Sequence, residues 1–153
     1  MSESDARHTD ERWADLADVI LALARTITTD VQMDHQVAKL TVTEINVLRF
    51  VDRHPGASPT EVAAATGLQR SNLSRAVREL EAKGLVKRSA DGGDARHAQL
   101  TSTDRAEANL RRLRANWSRL LGSAGADPVD LDAALRMLTD LEAGIAAERT
   151  GSA

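Results

Sequence analysis

The chain has no cysteine and no tyrosine, a single phenylalanine, two tryptophans and three prolines in 153 residues. Without cysteine, disulfides, thiolate zinc sites and thiol-based redox sensing are excluded. Aromatic residues make up 2% of the chain, too few to stack the bases of a single-stranded nucleic acid. No run approaches the roughly eighteen consecutive apolar residues of a membrane-spanning helix. The stretch 1–10 is polar and mixed in charge, unlike a secretory signal. A cytoplasmic protein without membrane contact is therefore expected, and 153 residues with 42% hydrophobic content suit one domain overall.

Catalytic constellations are also missing. His8, His35, His54 and His97 are scattered, with no pair at helical i, i+4 spacing and no nucleophile beside them. Ser71 and Ser74 have no histidine close in sequence, and Asp91-Gly92-Gly93-Asp94 lacks the spacing and lysine of a phosphate-binding loop. Asp30, Asp34 and His35 are the one conceivable metal set, but such residues at a helix end are more often simply solvated. No enzyme activity, cofactor or metal is expected.

What the chain does have is an uneven distribution of charge. The net charge of −3 divides into −5 over residues 1–68, +4 over 69–88 and −2 over 89–153. Local field rather than total charge steers a polyanion, because exposed charges are screened beyond a Debye length of about 8 Å. A basic footprint sits on an acidic body.

That footprint coincides with a distinctive local pattern. Ser58, Pro59 and Glu61 form a capping box with proline at the first helical position, and Thr66-Gly67 ends the helix so begun. A second helix is predicted over about 69–83, giving a helix-turn-helix. At 100° per residue, Leu73, Ala76, Val77 and Leu80 share one stripe, while Ser71, Ser74, Arg75, Arg78 and Ala82 lie opposite. Short hydroxyls flanking arginines allow a helix to enter a major groove. There arginine can bridge guanine O6 and N7, serine can reach a base or a phosphate, and Gln69 or Asn72 can pair with adenine. A merely solvated basic face is the plainer reading of this helix on its own.

Lys83-Gly84 stops the second helix, 85–88 reads as a strand, Asp91-Gly92-Gly93 as a tight turn and 98–102 as a returning strand. A helix-turn-helix followed by a hairpin is a winged helix. Arg88 at the base of the wing is expected on phosphate. At the tip, Asp94 and Arg96 can be a plain turn and a solvated side chain; alternatively Arg96 borders a narrow minor groove with Asp94 holding its guanidinium.

Elsewhere the apolar spacing predicts helices. One covers about 11–30, with Trp13, Leu16, Ile20 and Leu23 on a stripe; another starts at the Thr41/Glu44 capping box and stops at His54-Pro55-Gly56. A third covers about 103–121, with Ala106, Leu110, Leu113, Trp117, Leu120 and Leu121 inward. A fourth follows Asp127-Pro128, with Leu131, Leu135, Leu138, Leu141 and Ile145. Stripes this long need cover. They can form a thin three-helix layer within one chain or, as is common for soluble oligomers, join two copies by a two-fold axis.

From Ser58 to Arg96 the composite S-P-x-E-x-A-x-x-T-G-L-x-R-S-x-x-S-R-x-V-x-x-L-E-x-K-G-L-V-x-R, then D-x-x-D-x-R, resembles the multiple-antibiotic-resistance repressor (MarR) family. Two positions depart from that pattern. Ser102 stands where an apolar residue usually closes the second wing strand, so the strand is expected to end early, and Gln69 replaces the serine that usually caps the second helix.

The resemblance implies a mainly α (α+β) fold: a winged helix-turn-helix with N- and C-terminal helices intertwined in a dimerisation layer. The corresponding regions are 11–34 (dimerisation), 41–102 (DNA binding) and 103–148 (dimerisation). Residues expected on DNA are Gln69, Arg70, Ser71, Asn72, Ser74, Arg75, Arg78, Arg88, Asp94 and Arg96. Those expected between subunits are Trp13, Leu16, Ile20, Leu113, Trp117, Leu120, Leu131, Leu135 and Leu138. The implied function is a homodimeric repressor of a pseudo-palindromic double-stranded operator, relieved by a small apolar or aromatic effector near Trp13, Met33, His35 and Phe50. The competing expectation, from another class, is an antirepressor-like module that docks on protein and ignores DNA.

Overall fold

The computed structural model describes residues 3–33, 37–90 and 98–151. In chain order these form α1 (Glu3–Met33), α2 (Val42–Arg53), α3 (Pro59–Thr66), α4 (Arg70–Ala82), β1 (Val86–Ala90), β2 (Ala98–Ser102), α5 (Asp104–Gly122) and α6 (Pro128–Gly151). Two compact units result, Met1–Val37 and Ala38–Ala153. The second contains a winged helix-turn-helix.

The first unit is dominated by α1, which starts at Glu3 rather than the expected Glu11. Its opening turns are polar, so apolar periodicity cannot reveal them, although Glu3, Ala6 and Arg7 have good helix propensity. Near the other end the hydroxyls of Thr26, Thr28 and Thr29 donate to the carbonyls of Ala22, Ala24 and Arg25 at 3.1, 2.6 and 2.9 Å. The apolar stripe is exposed, with Trp13 at 50%, Ile20 at 40% and Leu23 at 46% of their full accessible surface.

In the second unit the helix boundaries follow their capping chemistry. Thr41 Oγ1 accepts from the Glu44 N–H while Glu44 Oε2 accepts from the Thr41 N–H, and Ser58 and Glu61 make the same reciprocal pair at α3. Gly67 adopts φ +65°. That left-handed turn lets the N–H groups of Gly67 and Leu68 return to the carbonyls of Ala64 and Ala63. The same device closes α4: Gly84, at φ +68°, donates to Glu81, and Leu85 donates to Leu80. Because the Leu85 amide is spent on the helix end, β1 begins at Val86 and not at Leu85.

The wing pairs β1 with β2 antiparallel, from Val86 opposite Ser102 to Ala90 opposite Ala98. The second strand therefore does not end early. Ser102 stays in the ladder because backbone pairing needs no apolar side chain at that rung, and Thr103 then secures the junction. Its amide donates to Leu85, and its hydroxyl donates to the Gly84 carbonyl at 2.8 Å while accepting from Ala106 to cap α5. On its other edge β2 is bridged to the α2–α3 connection: Gly56 N–H donates to Leu100, and Leu100 N–H to Ala57, both at 2.9 Å.

The core of this unit is aliphatic. Val47, Leu48 and Val51 of α2, Val62 of α3, Val77 and Leu80 of α4, Leu85, Leu100 of β2 and Leu113 of α5 are all sealed from solvent. At its far end α6 starts as expected, with Asp127 Oδ1 accepting from the Val129 N–H and Pro128 in the first helical position. Leu131, Leu135, Leu138 and Ile145 of α6 remain exposed in the single chain. Among the described residues no helix is long and apolar enough to cross a membrane.

Candidate nucleic-acid interface

Helix α4 divides as its sequence predicts. Leu73, Ala76, Val77 and Leu80 are buried, while Gln69, Arg70, Ser71, Asn72, Ser74, Arg75 and Arg78 are all exposed. The buried stripe fixes which way the helix faces, so the sequence that makes the core also presents the arginines. Gln69 is extended and gives no side-chain cap, and the first turn holds no acidic residue. No acidic side chain in the first turn of α4 itself therefore offsets the positive end of its dipole.

Three cations are placed in different ways. Arg78 Nε donates to the Ser74 carbonyl at 3.3 Å, which folds its side chain along the helix. Arg88, half-exposed on β1, lies 3.6 Å from Glu81. Arg75 makes no ion pair among the described residues and lines a groove of about 290 Å³ between α2 and α4, beside Thr43, Glu44, Asn72 and Glu79. Asp94 and Arg96 fall outside the described residues.

One ionic contact escaped the sequence reading. Glu44 is buried, and besides closing the α2 capping box it accepts from Lys83 Nζ at 2.7 Å through its other carboxylate oxygen. Burial alone would raise its pKa, but the hydrogen bonds from Lys83 and Thr41 outweigh that and hold the carboxyl below its usual range.

A second cluster was also missed. Arg49, Asp52 and Arg53 of α2 and Leu110, Arg114 and Trp117 of α5 line a narrow cleft of about 50 Å³. Burial, then the charges of Arg53 and Arg114, lower the pKa of Arg49 from its ordinary value, with Glu142 opposing. The indole Nε1 of Trp117 and Nδ2 of Asn109 are buried without a hydrogen-bond partner among the described residues. Asn109 Oδ1 accepts from the Ala38 N–H at 2.7 Å. Two like charges one turn apart, Arg49 and Arg53, are unfavourable on an isolated helix and were the available signal.

Of the residues expected around an effector, Trp13 and Phe50 have described side chains. Trp13 is half-exposed on α1, and Phe50 of α2 stacks on His54 with ring centroids 4.3 Å apart. The Met33 side chain, His35 and the Asp34 of the conceivable metal set lie outside the described residues. Among the residues expected between subunits, Trp13, Ile20, Leu131, Leu135 and Leu138 are exposed, and Leu16, Trp117 and Leu120 are partly so. Leu113 requires correction. It is fully enclosed in the single chain and has no surface left for a partner, because its turn of α5 faces the core.

A two-helix reading unit with a hairpin wing, flanked by long helices, is the architecture of winged-helix transcription regulators. A MarR family model matches residues 38–97. Solved structures share the fold over most of the chain. A putative transcriptional regulator from Pseudomonas aeruginosa is 28% identical, with 92% of this chain and 97% of that one covered and a TM-score of 0.67. A MarR protein from Peptoclostridium difficile is 18% identical, with 91% and 92% covered and a TM-score of 0.71. BpsR from Bordetella bronchiseptica, whose DNA binding is regulated by 6-hydroxynicotinic acid, is 20% identical, with 82% and 91% covered and a TM-score of 0.62. The match to the MarR family is confined to residues 38–97, while the fold of these solved regulators extends over most of the chain.

Proposed function

We propose that this chain works as a homodimer that binds a pseudo-palindromic DNA duplex, represses transcription from it, and lets go when a small effector binds. The observation that carries the reading is the partition of α4, whose core stripe is sealed while Arg70, Ser71, Asn72, Ser74, Arg75 and Arg78 face outward. In this reading α4 lies in the major groove. Arg75 and Asn72 address base edges, Ser71 and Ser74 bases or phosphates, Arg70 and Arg88 phosphates, and Arg96, with Asp94, borders the minor groove. Helices α1, α5 and α6 pair two copies, setting the reading helices about 34 Å apart.

For the effector, the cleft at Arg49, Arg53, Arg114 and Trp117 suits the acid group of a small aromatic acid. A carboxylate there relieves the mutual repulsion of the guanidinium groups and offers an acceptor to the buried Trp117 Nε1–H. Regulation then follows if such a ligand binds unequally to the spacing that fits DNA and to one that misses a half-site.

Selection of bound duplexes from a random pool tests the proposal. Enrichment of an inverted repeat with half-site centres about 10 base pairs apart is expected. A pool left unenriched at low ionic strength overturns it, and would favour a head that docks on protein.

A further inference from the structure

We infer that the Glu44–Lys83 pair is a positioning latch, which sets the angle of α4 on α2 and thereby aims Arg75 and Asn72 at the bases; this rests on the DNA-reading role proposed for α4.

The geometry is specific. Lys83 is the residue that caps α4, directly before the left-handed Gly84, and its ammonium reaches across to the first turn of α2. There Glu44 divides its two oxygens, Oε2 to the Thr41 N–H and Oε1 to Lys83, both at 2.7 Å. The latch thus joins the end of the reading helix to the start of its support. The side chain of Glu44 is 5% exposed and that of Lys83 31%. Helices α2 and α4 pack on each other, and apart from Glu44 their buried residues are aliphatic. Such a contact strongly opposes separation but weakly opposes a swivel, because dispersion and hydrophobic burial are non-directional. A charged hydrogen bond is directional, and a buried ion pair contributes less to net stability than an apolar pair of similar shape. Its value lies in orientation. The groove that holds Arg75 and Asn72 is lined by Glu44 itself, so a swivel at this seam displaces the residues proposed to read bases.

Glu44→Gln retains an acceptor for the Thr41 N–H while removing the charge. Two effects then have opposite signs. Loss of a negative charge near a polyanion tightens binding to every duplex, whereas loss of the latch weakens binding to the selected site alone. The expected result is a fall of about five- to twentyfold in the ratio of selected-site to random-duplex affinity. The same fall is expected for Lys83→Met, and no further fall in the double variant. Hydrogen exchange without DNA forms the second arm. The amides of Lys83, Gly84 and Leu85, bonded to Glu79, Glu81 and Leu80, should exchange faster in either variant, with α5 unchanged. If wild type bound no duplex, the DNA-reading role would fail while the exchange arm still tested the latch. An unchanged affinity ratio in both single variants overturns the inference, even if their thermal midpoints fall, and so does unchanged exchange.

Discussion

In the proposed function, Arg75 is the residue on which base reading depends most directly. It is exposed, has no ion-pair partner among the described residues, and projects from a helix whose opposite face is fixed in the core. Arg75→Ala is expected to cost about 1–3 kcal/mol of binding to the selected duplex and to relax preference at one base position, measured by titration against single-base variants of the site. Glu44 makes a different prediction, through pH. Its carboxyl titrates below the ordinary value of 4.5 in the folded protein. The stabilisation it brings is therefore present above the unfolded value and is lost as pH falls through the folded one. Thermal melts should show wild type more stable than Glu44→Gln at neutral pH, with the gap closing as the pH drops below 4.5. Neither the Lys83 contact of Glu44 nor the Asn109–Ala38 bond was legible beforehand. Their partners are 39 and 71 residues apart, whereas capping pairs sit within four residues of each other and show in any sequence window.

Local chemistry governs the elements, and here the sequence was a good guide. Both capping boxes, the Gly67 stop and the Pro128 start depend on neighbours or on one turn of chain. Ser58→Ala should lower stability by about 1 kcal/mol, read from the thermal midpoint, since it removes the acceptor for the Glu61 N–H. Less legible were the start of α1, whose first turns have no apolar period, and the persistence of β2 through Ser102. The latter depends on ladder bonds and on Thr103, not on the hydrophobicity of one side chain. Invisible altogether was the bridge from β2 to Gly56 and Ala57, because a segment of two residues carries no strand pattern.

For the molecule as a whole, the uncovered stripes on α1 and α6 matter most. Each Leu or Ile left in water forgoes roughly 1.5–3 kcal/mol of burial, and Ile20, Leu131, Leu135 and Leu138 are all exposed in the single chain. The paired form proposed above covers them. Leu135→Glu with Leu138→Glu should therefore give single subunits in sedimentation and abolish tight binding to a two-half-site duplex, leaving the helical content of the head intact. In wild type the thermal midpoint should rise with protein concentration, as mass action requires of a pairing subunit. The grip on Leu100 has a mechanical consequence at this scale. Its strand is tied to β1 on one edge and to the foot of α2 on the other, while Thr103 rivets the strand's end to the corner after α4. So braced on both edges, the wing is expected to turn together with α2 and α4 rather than to hinge at its own base.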